Sequence, residues 1–535
     1  SPAFHHHAEA TTAELFYDLF FVANLTTFTS ALEINSSNTL TAYMGFFALL
    51  WLTWYQVSLY DVRFSADSVF ERVAKAIHFG VMVGFAVIGP QWKPGQEIDD
   101  YKIYKAFGLI LMVSRITLFC QYTVTLLYTK KYTKTILPLA LVMGSTLVAA
   151  ILYGALTPVF PNIQSVVDQA TGESTPIPQM SNVYIAWYII AISETIVTVA
   201  VSCIWRVISF KGTHMVQRMS LLTLIILGEG IIVVCKSISK IIKNEYLWSA
   251  NVVGQVIASV CIIYFLYMLY FDRLQEEHFG SIKQQAWSFL HFPLHTVLVL
   301  VLQGVSLLII WRQAIDGMQM FYTDMVLWES QTYATGLEFA TAMNESAYNN
   351  VFYFIPKGVD ATKEIKVAEA AFYTLESAYD ALTLDATNET ALAQYTDGIN
   401  DLFYAGTKTI FTSLSVTTPK KKKGGDSKSI GFEALFTEYV GIFELVFMYV
   451  FIAGGLSLII TTVLGFISLP VHQRTLSQRI RLGLNAFFGV GLCLISLLRY
   501  NMDLKVNYMS SDWMIPTICM IYFICVVINH VSLPK

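Results

Sequence analysis

The chain has 535 residues, of which 55% are hydrophobic and only 13% charged, with a formal net charge of −4. A soluble domain is normally about a quarter charged, so a soluble enzyme or binding module is excluded. The small net charge argues against nucleic acid as a partner and against any strong steering field.

Apolar runs long enough to cross a bilayer as helices recur along the chain. Taken in order they predict an all-α polytopic bundle of about twelve spans, near 12–33, 40–60, 70–90, 103–128, 135–156, 182–208, 217–240, 250–272, 284–312, 432–466, 479–500 and 512–532. The opening segment, residues 1–10, contains His5, His6 and His7 and no basic stretch of the kind that starts a cleavable signal. All seven cysteines fall inside the apolar runs without CxxC or Cys/His spacing, and so read as small core residues.

Basic residues set the orientation. Arg63, Arg72 and Lys75 follow the second span, Lys130, Lys131 and Lys134 the fourth, and Arg206 and Lys211 the sixth. Arg273 and Lys283 follow the eighth and Arg474, Arg479 and Arg481 the tenth, which puts the even-side loops and both termini in the cytoplasm. Three glycosylation sequons, at Asn35, Asn344 and Asn388, then fall on the opposite face, while a fourth at Asn24 lies inside a span and is a chance match. The basic run "PKKKKGGDSK" is out of keeping, but long translocated loops obey the charge rule poorly.

Three regions follow: an N-terminal bundle of about nine spans over 1–312, a helical insertion over 313–429, and about three further spans over 430–535. Within the insertion, "ATKEIKVAEAAFYTLESAYDALTL" and "NETALAQYTDGINDLFYAGTKTIF" have helical apolar periodicity and predict an antiparallel pair standing on the extracellular or lumenal face. The insertion is either a spacer or glycosylated cap, or a ligand-binding element. A eukaryotic plasma membrane or endomembrane is the expected location.

Ionisable residues inside the spans carry the functional reading, because a charge deep in lipid faces the bundle interior and finds a partner. Glu14 and Asp18 open the first span, Arg115 lies deep in the fourth, Glu194 in the sixth and Glu229 in the seventh. Arg218, Asp61, Asp272, His78, His291 and His295 form a set on the cytoplasmic half. Structural alternatives accompany each: helix-end ion pairs for Asp61 and Asp272, satisfied core histidines for His78 and His291, and a fold-fixing buried pair for Arg115. His291 and His295, at i and i+4, have metal-ligand spacing, with Pro293 between them.

Three of these features repeat. Asp18 in "YDLFFV" matches Glu229 in "LGEGIIV" 211 residues later, Asp61 matches Asp272 at the same offset, and His78 matches His291 at 213. Copies six spans apart share an orientation, which predicts a parallel 6+6 duplication with Asp18 facing Glu229 across the pseudo-twofold axis.

The ordered motifs "ELFYDLFFV", "RMSLLTLIILGEGIIVV", "LYFDR" and "LHFPLH" resemble the bacterial low-temperature-requirement A family, with its ELFFDLVFVF start and ER-x-GLFTIIVLGE motif. The likeness runs from Glu14 to Val301 and is loose over the last three spans. It places Glu14 and Asp18 on the family's ELFFDL acids and Arg218 and Glu229 on its R…LGE, while Gln217 stands where the family usually has Glu. The long insertion departs from the bacterial pattern and resembles fungal members. The resemblance implies an architecture and leaves the activity open.

Three functions compete on this reading. The first is a transporter or channel moving protons, cations or a small solute along the buried carboxylates and histidines. The second is a membrane enzyme with a metal or lipid site at the cytoplasmic leaflet, although HExxH, GxSxG and Asp-rich motifs are missing. The third is a receptor or scaffold acting through the insertion. No cofactor is called for beyond a bound cation or lipid, and the expected partners are membrane lipids, an ion or small solute, and a second copy in a homodimer.

Overall fold

Hydroxyl side chains open many of the helices. Thr11 caps α1 (Thr12–Ala31) in a capping box with Glu14, Ser36 caps α2 (Ser37–Phe64), and Ser68 caps α3 (Val69–Ile88). Each accepts a backbone N–H that the first helical turn leaves without a partner. The computed structural model describes residues 9–167, 174–209, 212–243, 249–274, 280–418, 431–470 and 473–531. His5 to His7, Lys211 and the basic run at 419–428 lie outside these.

The chain continues through α4 (Lys102–Thr129), α5 (Thr133–Leu156), a small antiparallel ribbon β1 (Ser165–Val167) and β2 (Ser174–Pro176), α6 (Tyr184–Ile204), α7 (Met215–Lys243) and α8 (Ala250–Phe271). After the short α9 (Ser281–Phe289) comes α10 (His291–Glu329), then α11 (Gly336–Asn350), α12 (Thr362–Leu384) and α13 (Glu389–Ser413). The membrane region resumes with α14 (Phe432–Ser468), α15 (Leu476–Ile495), α16 (Met502–Met509) and α17 (Met514–His530).

Among the described residues nine helices are long and apolar enough to cross a membrane, or ten if the sharply bent α16–α17 pair is one span. The fold is the expected all-α polytopic bundle, but the count of twelve is not reached by this criterion. The shortfall falls on α1 and α2, and for α2 the cause is its position. From Trp51 to Arg63 every residue of α2 is buried, so the helix meets protein on all sides and can carry polar side chains that lipid would reject.

The order of neighbours is the same in the two halves. In the first, α1 packs on α3, α3 on α4, α4 on α5, α5 on α6, and α6 returns to α2. In the second, α7 packs on α10, α10 on α14, α14 on α15, α15 on α17, and α17 returns to α8. The halves meet where α1 lies against α7 and α2 against α7 and α10. This ring order supports the parallel duplication, with α11–α13 inserted after the third helix of the second copy.

The ninth expected span does not end at 312. Helix α10 has 39 residues and α14 has 37, about 58 and 55 Å long, against a hydrocarbon core of about 30 Å. Both therefore run on past the membrane and join α11–α13. At the junction Phe411 stacks on Tyr439 at 3.8 Å and Trp311 packs on Phe443 at 4.5 Å. Helices α12 and α13 pack together along their length, with Leu375 seated over Gly398. Asn35 Nδ2 donates to the Thr417 carbonyl at 3.2 Å, so the Asn35 sequon lies at the same end of the molecule as those in α11–α13. Asn388 is the N-cap of α13, and Asn24, the sequon read as a chance match, is buried and donates to the Phe20 and Met82 carbonyls.

Helices α14 and α15 approach backbone to backbone. A Cβ added at Gly455 would sit 2.3 Å from the Gly489 carbonyl oxygen, and one at Gly489 would sit 2.8 Å from the Gly455 oxygen. Small residues permit such contact between membrane helices. Gly455→Ala is expected to destabilise the protein by about 1–3 kcal/mol. Gly441→Ala, on the same helix with nothing within 4 Å of the new Cβ, should be neutral or slightly stabilising. Melting temperatures of the purified variants in detergent check both signs.

Candidate functional site

Helix α2 divides the polar interior into two seams. Trp54, Ser58 and Asp61 recur at helical spacing on the face toward α1 and α7. Thr53, Gln56, Tyr60 and Arg63 do so on the face toward α4 and α6.

The first seam converges on Arg218. Its Nη2 donates to Asp18 Oδ1 at 2.9 Å and to Ser58 Oγ at 3.2 Å. Its Nη1 lies 3.2 Å from Glu14 Oε1 and 3.9 Å from Asp61 Oδ2. Trp54 Nε1 donates to Asp18 Oδ1 at 2.7 Å, and the guanidinium sits over the Trp54 ring at 5.5 Å. One turn before Arg218, His214 Nε2 lies 3.0 Å from Glu14 Oε2. That same oxygen accepts from the Thr11 backbone and hydroxyl, so Glu14 caps its own helix while tying α1 to α7. Ala10 N donates to Gln217 Oε1 at 2.9 Å, which completes the docking of the two helix starts.

Arg218 and Asp18 are 0% exposed, Glu14 2% and Asp61 6%. Three carboxylates therefore share one guanidinium in a dry setting, and the shares are incomplete. Asp18 Oδ2, Asp61 Oδ1 and the Tyr17 hydroxyl are buried with no hydrogen-bond partner, as are Nε and Nη1 of Arg218. Buried polar atoms are normally satisfied, and an uncompensated buried charge is costly. With three carboxylates against one guanidinium, the cluster is short of positive charge.

In the second seam Arg115 Nη2, Glu194 Oε1 and His78 Nδ1 are buried without a hydrogen-bond partner. Arg115 Nε donates to Glu194 Oε2 at 2.7 Å and Nη1 to Thr53 Oγ1 at 3.3 Å, with the guanidinium 5.7 Å from the Tyr153 ring. Gln56 Nε2 donates to Thr195 Oγ1 at 3.2 Å. Toward the Arg63 end of α2 Tyr60 donates to Glu71 Oε1 at 2.6 Å and Gln121 Nε2 donates to Glu71 Oε2 at 2.8 Å. His78 Nε2 lies 2.9 Å from Gln121 Oε1, and because that oxygen only accepts, the histidine supplies the hydrogen. Arg63 donates to Ser202 and to the Leu59 and Ile208 carbonyls.

His291 and His295 are not a metal pair. Trp51 Nε1 donates to His295 Nδ1 at 3.0 Å, which leaves Nε2 to donate to Thr223 Oγ1 at 2.7 Å. His291 Nδ1 donates to the Trp287 carbonyl at 2.8 Å, and its Nε2 lies 2.7 Å from the Tyr270 hydroxyl. All four ring nitrogens are engaged by protein. Among the described residues no group of three or more His, Cys, Asp or Glu is placed to hold a metal ion.

Two expected relationships do not hold. Asp18 does not face Glu229. Asp18 is level with Arg218, whereas Glu229 is bonded to Thr26, which is eight residues or about 12 Å further along α1. The motif offset misleads here because Asp18 enters early in its helix and Glu229 half-way along its own. Nor does Asp272 join Asp61. It lies at the half-exposed end of α8, 3.3 Å from His530 of α17, while Arg273 bonds Asn529. The structure also adds Glu71, Gln121, Trp54, Tyr60 and His214 to the polar interior. Glu71 reads in the sequence as an ordinary acid in a first helical turn. The hint was its i, i+7 spacing to His78, which puts both on one face.

The family model for the bacterial low temperature requirement A protein (LtrA) matches residues 9–348 of this chain. The chain belongs to the LtrA family. The matched region takes in α1 through α10 and nearly all of α11, and so contains every residue of both seams. It extends beyond the Val301 limit of the motif likeness, and leaves α12–α17 outside the LtrA match. No curated protein and no solved structure matches the chain.

Proposed function

We propose that this LtrA family membrane protein is a transporter or channel for protons or a small monovalent cation, with the Arg218 cluster as its exchange site. The observation that carries the reading is the deficit of positive charge: Glu14, Asp18 and Asp61 around Arg218, with free oxygens on Asp18 and Asp61 and a free phenol on Tyr17. A proton on Asp61, or a cation held by Asp61, Asp18 and Tyr17, reduces that deficit. Its loss leaves like charges in low dielectric and favours hydration of the site. The cluster lies where the two halves meet, so a change in its charge acts on the contact between them.

Both termini are assigned to the cytoplasm, and the α11–α13 end, with Asn35, Asn344 and Asn388, to the extracellular or lumenal side. That topology agrees with the basic residues on even-side loops.

The test is flux into liposomes holding the full chain under a proton, Na+ or K+ gradient. Asp61→Asn keeps the shape of the side chain and removes its exchangeable charge, and is expected to lower the flux about tenfold or more. Undiminished flux in a folded Asp61→Asn protein refutes the assignment.

A further inference from the structure

Contact between α1 and α7 is polar at both ends and apolar between. At the α11–α13 end of the pair Thr26 Oγ lies 2.5 Å from Glu229 Oε2, and one turn further Lys236 donates to Ser30 Oγ at 2.8 Å. Beside Glu229, Thr29 bonds Tyr43 of α2 at 3.0 Å. Glu229 itself is 5% exposed, and its Oε1 has no partner. Among the described residues no arginine is paired with it. The ionisable groups that face it are Lys236 of its own helix and Tyr43 of α2.

Hydrogen counting adds a second observation. The Thr26 hydroxyl carries one hydrogen but lies within bonding distance of two acceptors, the Val22 carbonyl at 3.1 Å and Glu229 Oε2. A proton on Glu229 supplies the missing hydrogen, with Glu229 donating to Thr26 and Thr26 donating to Val22.

Between this pocket and the Arg218 cluster the same faces present only apolar side chains. On α7 the steps run Arg218, Leu222, Ile226, Glu229, and on α1 Asp18, Phe21, Leu25, with Thr26 beside Leu25. Phe21, Leu25, Leu222 and Ile226 are all 0% exposed and belong to one packed core. Phe21 also packs edge-on against Trp54, the residue that bonds Asp18, and against Phe47. The dry segment is about 12 Å long. At its level on the α10 side His295 is closed off by Trp51 and Thr223.

We propose that Glu229 is a second proton-exchange site, open toward the α11–α13 end of the α1–α7 seam, and that Phe21, Leu25, Leu222 and Ile226 form the plug that separates it from the Arg218 cluster. The inference rests on the transport reading above. Two acids on either side of a dry barrier let a proton be held from one membrane face or the other without a continuous wet path. Movement of α7 against α1 by a side-chain width is enough to admit water.

The experiment measures proton uptake with an internal pH dye in liposomes holding the full chain. Glu229→Gln is expected to reduce uptake about tenfold. Leu222→Ser, or the milder Ile226→Thr if the first does not purify as a folded monodisperse species, is expected to raise passive leak about tenfold. Leu224→Ser, on the exposed side of the same helix, should leave uptake unchanged. Loss of uptake in Asp61→Asn with full uptake in Glu229→Gln overturns the second site and spares the first. Folded Leu222→Ser and Ile226→Thr proteins with wild-type leak overturn the plug. Wild-type liposomes that carry no protons overturn the second site and plug as proton devices, and absence of Na+ and K+ flux as well overturns the transport reading beneath them.

Discussion

Arg218→Met is expected to destabilise the folded protein by about 3–5 kcal/mol, the cost of removing one partner from a buried ionic group. The loss is large because one guanidinium serves Glu14, Asp18 and Asp61 at once, all of them almost fully buried. Without it three carboxylates face one another, and His214, just before α7, contacts only Glu14 among them. Arg218→Lys should recover little, since an ammonium cannot span three acids or lie flat over Trp54. Asp18→Asn introduced with Arg218→Met should restore part of the stability, because it removes the acid that accepts the shortest bond from Arg218. Thermal unfolding in detergent, followed by tryptophan fluorescence and size exclusion, checks the three variants. An Arg218→Met protein that melts with the wild type rules out the shared ionic cluster.

The second large effect is expected at Arg115 and Glu194, and its pattern is different. Each single change, Arg115→Met or Glu194→Leu, strands a buried charge and should cost about 3–5 kcal/mol. The double variant should cost much less than the sum, because two apolar side chains can fill the volume of a pair that makes one close contact of 2.7 Å. Flux in the double variant should stay near wild type, since this pair is matched one to one and lies across α2 from the Arg218 cluster. A double-mutant cycle with no coupling would show that the two residues are not partners. Loss of flux in a stable double variant would move the transport path into the second seam.

The sequence made the architecture legible because lipid imposes a simple rule on composition. Long apolar runs marked most of the helices. What lipid does not touch was harder to read. Helix α2 is enclosed by protein, so its Trp, Tyr, Gln and Arg side chains obey packing and hydrogen bonding rather than hydropathy. The acids themselves were visible as anomalies, but their partners were not. Glu14 and His214 are 200 residues apart, and His214 sits just before its helix among residues that read as a loop. The repeat was legible as an order of motifs and not as a depth, which is why Asp18 and Glu229 seemed paired. The histidines at 291 and 295 had the spacing of ligands. Only Trp51, Tyr270 and Thr223, from three other helices, show that their nitrogens are already occupied.

Helices α10 and α14 leave the membrane without a hinge, and the aromatic stack of Trp311, Phe411, Tyr439 and Phe443 clamps α11–α13 between them. The projecting part is thus welded to the second half rather than tethered to it, and any tilt of that half must swing it through the aqueous space. A binder raised against the exposed side of α12 and α13 would act as a handle on α10, the helix that holds His295 against Thr223 of α7. It would provide a rigid fiducial for imaging and a mechanical brake on whatever motion the two halves make.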